Sequence, residues 1–195
     1  MYELKDTQRI FVFTGPDGSG RKTIADMVGT TLGIPKVLSY TTRERRAGEE
    51  EGQDYHFIPK DAFLAAKDAG EFIESVEIDG NLYGIRQDDV ENLFRSAGCI
   101  YVVINAQGAR TLKELYGDHV TRFFIYADRD TAVNRQRSRG DALDVIERHM
   151  SHYDDAMSYM PECKYAYENL DLAHTVFAIS NIIEEYLNRN LLELD

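Results

Sequence analysis

The residues Gly15-Pro16-Asp17-Gly18-Ser19-Gly20-Arg21-Lys22-Thr23 follow the apolar run Ile10-Phe11-Val12-Phe13 and precede the helix-forming Ile24-Ala25-Asp26-Met27-Val28. A strand, a glycine-rich bend and a helix start in that order make a cradle for phosphate. Glycines reach the positive φ angles that turn successive N–H groups inward, and the helix N-terminus adds its partial positive charge at the same point. The phosphate-loop pattern G-x-x-x-x-G-K-[ST] puts a lysine on the β/γ-phosphates and a hydroxyl on Mg²⁺. Here Arg21 holds the lysine position and Lys22 the hydroxyl position. Gly15, Asp17, Gly18, Ser19, Gly20, Arg21, Lys22 and Thr23 are therefore the expected donor-phosphate set, with the cationic residues altered.

A second group runs from Ser39 to Phe57 and contains Arg43, Arg46, Glu49 and Tyr55. Two arginines three residues apart can fork around one phosphate, and tyrosine hydroxyls can donate to its remaining oxygens. A carboxylate such as Glu74 can accept from both the ring N–H and the exocyclic amine of guanine, a pairing adenine does not offer. A third group is Asn134-Arg135-Gln136-Arg137-Ser138-Arg139-Gly140, with Arg148 beyond it. On a helix Arg135 and Arg139 share a face and can address one anion, while Arg137 points away.

These segments resemble the guanylate kinase family, whose pattern S-x-T-T-R-x-x-R-x-G-E-x-x-G-x-D-Y-x-F is met from Ser39 to Phe57, followed by Glu71-Phe72-Ile73-Glu74 and Tyr83-Gly84. The resemblance covers nearly the whole chain. It implies that Arg43, Arg46, Tyr55 and Tyr83 hold the phosphate of GMP, that Ser39 and Glu74 read guanine, and that Glu49 is a pocket glutamate. It also implies that Arg135, Arg139 and Arg148 are lid arginines that close on the transferring phosphoryl group, with Arg21 and Lys22 beside them. Departures concentrate on the ATP and metal side. Besides Arg21 and Lys22, the family's D-x-D-x-Q-G has become Val103-Ile104-Asn105-Ala106-Gln107-Gly108, and its N-D-D-L reads Tyr167-Glu168-Asn169-Leu170. The hydroxyl after Tyr-Gly is replaced by Ile85. The family's cofactor set is ATP with Mg²⁺. With the protein ligands of Mg²⁺ lost, the Lys22 ammonium is expected to take the metal's place against phosphate.

The elements that must position these groups alternate. Strand-like runs at Ile10 to Thr14, Lys36 to Tyr40, Cys99 to Asn105 and Thr121 to Tyr126 are separated by helical stretches from the glycine loop to Leu32, Pro59 to Ala69, Gln87 to Ser96, Gly108 to Tyr116 and Asp128 to Ser138. That alternation predicts an α/β fold: a parallel P-loop sheet with helices on both faces. Residues 71–84 break it with a hairpin closed by Asp79-Gly80, so residues 41–96 are expected to form a small mixed GMP-binding lobe. The charged stretch from Asp141 to Met160 suits a cover, giving a helical lid over residues 135–160. An amphipathic helix from Ala173 to Leu192 should lay Val176, Ile179, Ile182, Ile183 and Tyr186 on the sheet. The expected organisation is one domain over residues 1–195, with its core at 1–40, 97–134 and 161–195.

The formal net charge of −12 over 195 residues disfavours a nucleic-acid partner, because an extended phosphate backbone would be repelled. Small anions remain compatible with local arginine clusters. Two cysteines, Cys99 in an apolar run and Cys163, fit free thiols and a cytoplasmic compartment. No segment reads as a leader or a membrane span. The five histidines lack metal-ligand spacing. The resemblance thus predicts a phosphotransferase converting ATP and GMP (or dGMP) to ADP and GDP, with lowered activity. The alternative is a spent kinase that binds GMP, another guanine nucleotide or a phosphopeptide.

Overall fold

Five consecutive residues of Arg9–Thr14 (β1) are buried, which requires cover on both faces and pairing on both edges. In this computed structural model, which describes residues 4–46 and 48–187, β1 lies between Cys99–Val103 (β6) and Val120–Tyr126 (β7), parallel to both. Tyr165–Glu168 (β8) adds a parallel edge strand to β7, so the core sheet runs β6-β1-β7-β8. The remaining elements in chain order are Arg21–Leu32 (α1), Tyr40–Thr41 (β2), His56–Phe57 (β3), Lys60–Asp68 (α2), Phe72–Ile78 (β4), Asn81–Arg86 (β5), Gln87–Ala97 (α3), Ala106–Tyr116 (α4), Arg129–Arg139 (α5), Leu143–Ser151 (α6), Tyr153–Ser158 (α7) and Leu172–Leu187 (α8).

Alternate residues of the core strands serve opposite faces. Ile10, Val12, Ile100, Val102 and Phe124 pack with Val90 and Phe94 of α3 and Ala109, Leu112 and Tyr116 of α4. Phe11, Phe13, Tyr101, Phe123 and Ile125 pack with Ile24, Ala25 and Val28 of α1 and Val176, Ile179 and Ile183 of α8. The α/β architecture with helices on both faces is therefore present. Ile182 and Tyr186 lie at the edge of the α8 contact. The expected extension of that helix to Leu192 falls outside the described residues. Among the described residues, no helix is long and apolar enough to cross a membrane.

The second sheet is mixed, in the order β3-β2-β5-β4. β2 is parallel to β3 and antiparallel to β5, and β4 and β5 form the expected hairpin. Asp79 (φ 50°) and Gly80 (φ 76°) are both left-handed, the two-residue turn whose twist matches a hairpin.

Three expectations change. Lys36 to Tyr40 is no core strand: one parallel bridge joins Lys36 to Tyr101, and regular pairing begins only at Tyr40, in the other sheet. Pro35 lends only its carbonyl, to the Tyr101 N–H, and after Val37 the chain leaves the core edge. The edge strand β8 carried no strand signal, because four residues of half-buried Tyr-Ala-Tyr-Glu are too short to establish a period. The stretch 141–160 breaks at His152 into α6 and α7, and its far end is rooted in the core. Tyr159 is fully buried, and the Tyr153 hydroxyl donates to the Ala127 carbonyl at 2.8 Å.

Candidate active site

The chain turns out of β1 through Gly15 (φ 140°), Gly18 (φ 80°) and Gly20 (φ 86°) into α1. A Cβ on Gly15 would lie 1.9 Å from the Ile125 carbonyl oxygen, and one on Gly18 2.5 Å from that of Ala132, so the loop's path depends on glycine at both points. Two side chains hold it from outside. Asn169 Nδ2 and Arg135 Nη1 both donate to the Ser19 carbonyl, at 2.8 and 3.1 Å, and Arg135 Nη2 donates to the Asn169 carbonyl at 2.7 Å. Arg135, expected to face the reacting phosphate, thus spends its guanidinium on the backbone of the cradle.

The loop's own cations are paired. Arg21 Nη2 donates to Asp17 Oδ1, four residues back in the loop, at 3.2 Å. Lys22 Nζ lies 3.0 Å from Asp26 and 2.8 Å from Asp54, which belongs to the segment leading into β3. Asp26 also holds Lys36 at 3.0 Å and accepts from the Tyr101 hydroxyl at 2.9 Å. Burial works against the Lys22 charge, but hydrogen bonds to Asp54 and Asp26 outweigh it and raise its pKa. Lys22 therefore ties α1 to the second sheet. Its ammonium is engaged by two carboxylates. Thr23, next along the helix, is exposed.

Across the cleft, Glu49 organises both acceptor arginines. Its oxygens take Arg43 Nη2 at 2.7 and 3.0 Å and the Arg46 backbone N–H at 2.8 Å. Burial opposes the Glu49 charge, but these bonds hold its pKa below the ordinary range. The Arg43 guanidinium lies 5.6 Å from the Tyr55 ring centroid, and the Tyr55 and Tyr83 rings are 6.0 Å apart. Burial raises the Tyr55 pKa against the charges of Arg21 and Arg43, so the neutral hydroxyl faces both the loop and the acceptor group. Arg43, Arg46, Tyr55, Tyr83 and the glycine loop are brought together.

Ser39 and Glu74 are both buried, 9% and 7% exposed. Desolvation alone pushes the Glu74 carboxyl up to about 7. Its Oε2 lies beside Gly108 in the first turn of α4, where a Cβ would approach to 3.0 Å. Asn105 caps that helix by accepting from the Gly108 N–H at 2.9 Å, giving the Asn a structural task. Ile85, opposite Glu74 in the hairpin, is buried among the apolar residues between the sheets.

Three residues that sequence reasoning left without a role join the cleft. His149 on α6 contacts Gln136 Oε1 through Nδ1 at 2.6 Å and Arg46 Nη2 through Nε2 at 3.3 Å, so it links α5 and α6 to the loop that carries Arg46. Asp141 takes Arg139 through two contacts, one of them at 3.0 Å. Arg148 lies outside, 3.1 Å from Asp144 and half exposed. Arg135, Arg139 and Arg148 thus do not converge on one point in this structure. Nothing in the spacing marks His149 or Gln136, because their partners are 103 and 13 residues away.

The guanylate kinase family model matches residues 7–186, nearly the whole described chain. This chain belongs to the guanylate kinase family. It is 32% identical over 184 residues to the guanylate kinase of Anaplasma phagocytophilum, covering 92% of this chain and 88% of that one. It is also 31% identical over 186 residues to that of Alkalilimnicola ehrlichii, covering 94% and 91%. The crystal structure of guanylate kinase from Anaplasma phagocytophilum superposes with a TM-score of 0.75 at 29% identity, covering 96% of this chain and 90% of that chain. The fold and the phosphotransferase class thus agree with the reading of the motifs.

Proposed function

We propose that this protein transfers the γ-phosphoryl group of ATP to GMP or dGMP, with turnover lowered by Arg21 and Lys22. The observation that carries this reading is the preorganised acceptor group, Arg43 and Arg46 on Glu49 beside Tyr55 and Tyr83, facing a glycine loop of phosphate-binding shape. A GMP phosphate meets Arg43 and Arg46, and guanine gives its N1–H and exocyclic N–H to ionised Glu74, with Ser39 beside it. The loop N–H groups and Arg21 receive the donor phosphates. A GMP phosphate oxygen then attacks the γ-phosphorus as the bond to the ADP oxygen breaks. The chain's part is positioning and charge, with Arg139 of the lid stabilising negative charge that spreads over the transferring group.

Family members take ATP together with Mg²⁺, but this chain offers the ion poor anchorage. Lys22 replaces the hydroxyl and is engaged by Asp26 and Asp54, and Val103 and Asn105 replace carboxylates. Among the described residues there is no group of three or more His, Cys, Asp or Glu side chains arranged to hold a metal. No step here is derived through the ion. A coupled assay with GMP, ATP and Mg²⁺ at high enzyme concentration should give ADP, and no ADP under those conditions rejects catalysis. The pairing of both loop cations favours a second reading, a non-catalytic module that captures GMP, another guanine nucleotide or a phosphopeptide. Calorimetry showing GMP binding without turnover would select it.

A further inference from the structure

One carboxylate at the mouth of the glycine loop pairs with an arginine of α1, and two further arginines from other segments lie within its electrostatic reach. Asp17 accepts from Arg21 of α1 at 3.2 Å, and the positive charges of Arg46, from the acceptor loop, and Arg139, from α5, act on it as well. Arg139 has a second carboxylate in Asp141, and Arg46 is steadied by His149 and the Glu49 tie. Arg21 makes its ion pair with Asp17. Partial desolvation works to raise the Asp17 pKa, yet nearby positive charge, that of Arg21 foremost, holds it below the ordinary range, so the carboxylate stays ionised at neutral pH. Burial holds the His149 pKa below the ordinary range.

We infer that Asp17 is a resident anion, engaging the guanidinium of Arg21 that donor phosphates must take over. A fixed negative charge within a few ångströms of a polyphosphate weakens its binding, and displacing the Asp17–Arg21 pair adds to that cost. The side chain is 41% exposed and projects from the loop, so it can be changed without opening the core. Asp17 thereby sets how tightly the loop holds phosphate and disfavours a bare polyanion against one that brings its own cation. This rests on the reading that the loop takes donor phosphates, and it concerns phosphate affinity alone.

The test is calorimetric titration of inorganic tripolyphosphate, without metal, into the wild-type protein, Asp17→Asn, Asp17→Ser and the charge-keeping Asp17→Glu, with melting curves to confirm folding. Asn and Ser should bind roughly tenfold or more tightly than wild type, and Glu should bind like wild type. Equal or weaker binding by a folded Asn or Ser variant overturns the inference, as does absence of binding in every variant. Should one of the two fail to fold, the other carries the comparison. A GMP and ATP turnover assay on the same samples separates the readings: tighter tripolyphosphate binding with no turnover sinks the kinase proposal and leaves Asp17 as inferred.

Discussion

Glu74 is buried with no offsetting charge, and desolvation alone pushes its carboxyl up to about 7. Guanine presents two donors to the ionised form, so GMP should bind more tightly as pH rises from 6 to 8. Calorimetry across that range should find this, with Glu74→Gln abolishing the Glu74 part of the slope and leaving whatever titration the GMP phosphate contributes. Stability moves the other way. A folded pKa above the unfolded value means the native state binds more protons between about pH 4.5 and 7, so Glu74's contribution diminishes as pH rises through that window. Arg43 is the other residue to probe, since it joins Glu49 to the Tyr55 ring. Arg43→Ala should weaken GMP binding about 100-fold, the scale of a lost charge-assisted fork, while leaving ATP binding within a few-fold. A GMP affinity unchanged in calorimetry would remove Arg43 from the acceptor site.

At the scale of elements, the glycine loop has the narrowest tolerance. Gly15→Ala meets the Ile125 carbonyl at 1.9 Å and forces φ 140° on a residue with a Cβ, so urea unfolding should show a loss of about 2–4 kcal/mol. What could be read from sequence follows from how local each signal is. The loop, the β4–β5 turn and the apolar faces of α1 and α8 announce themselves within a few residues, because glycine placement and helical period are local properties. The acceptor arginines were legible for the same reason, with Glu49 only a few residues away. Tyr165–Glu168 and the departure of the chain after Val37 were not legible, since each depends on which strand lies beside it. His149 and Gln136 were hidden for a like reason: their importance arises only when α5 and α6 fold beside the acceptor loop. The Asp141 to Met160 stretch looked like cover on composition, yet Tyr159 is fully buried and packs in the core.

At the scale of the whole molecule there are two sheets, and Lys22 straps the core helix to the segment leading into the second. It reaches Asp26 on the core helix and Asp54 ahead of the mixed sheet, so a change there alters both the donor loop and the alignment of the acceptor side. The double variant Arg21→Lys with Lys22→Ser restores a compact point charge and a hydroxyl to the loop while cutting this strap. The strap is half exposed at Lys22, so its loss should cost no more than about 1 kcal/mol of stability in urea unfolding. Removal of the forked Arg21 should at the same time free Asp17 from its guanidinium partner and give the donor phosphates a lysine. If donor-side chemistry limits the enzyme, kcat in the coupled assay should rise at least about tenfold with the KM for GMP changing little. A rise in the KM for GMP without a gain in kcat would mean that Lys22 serves the alignment of the two sheets more than it hinders the donor.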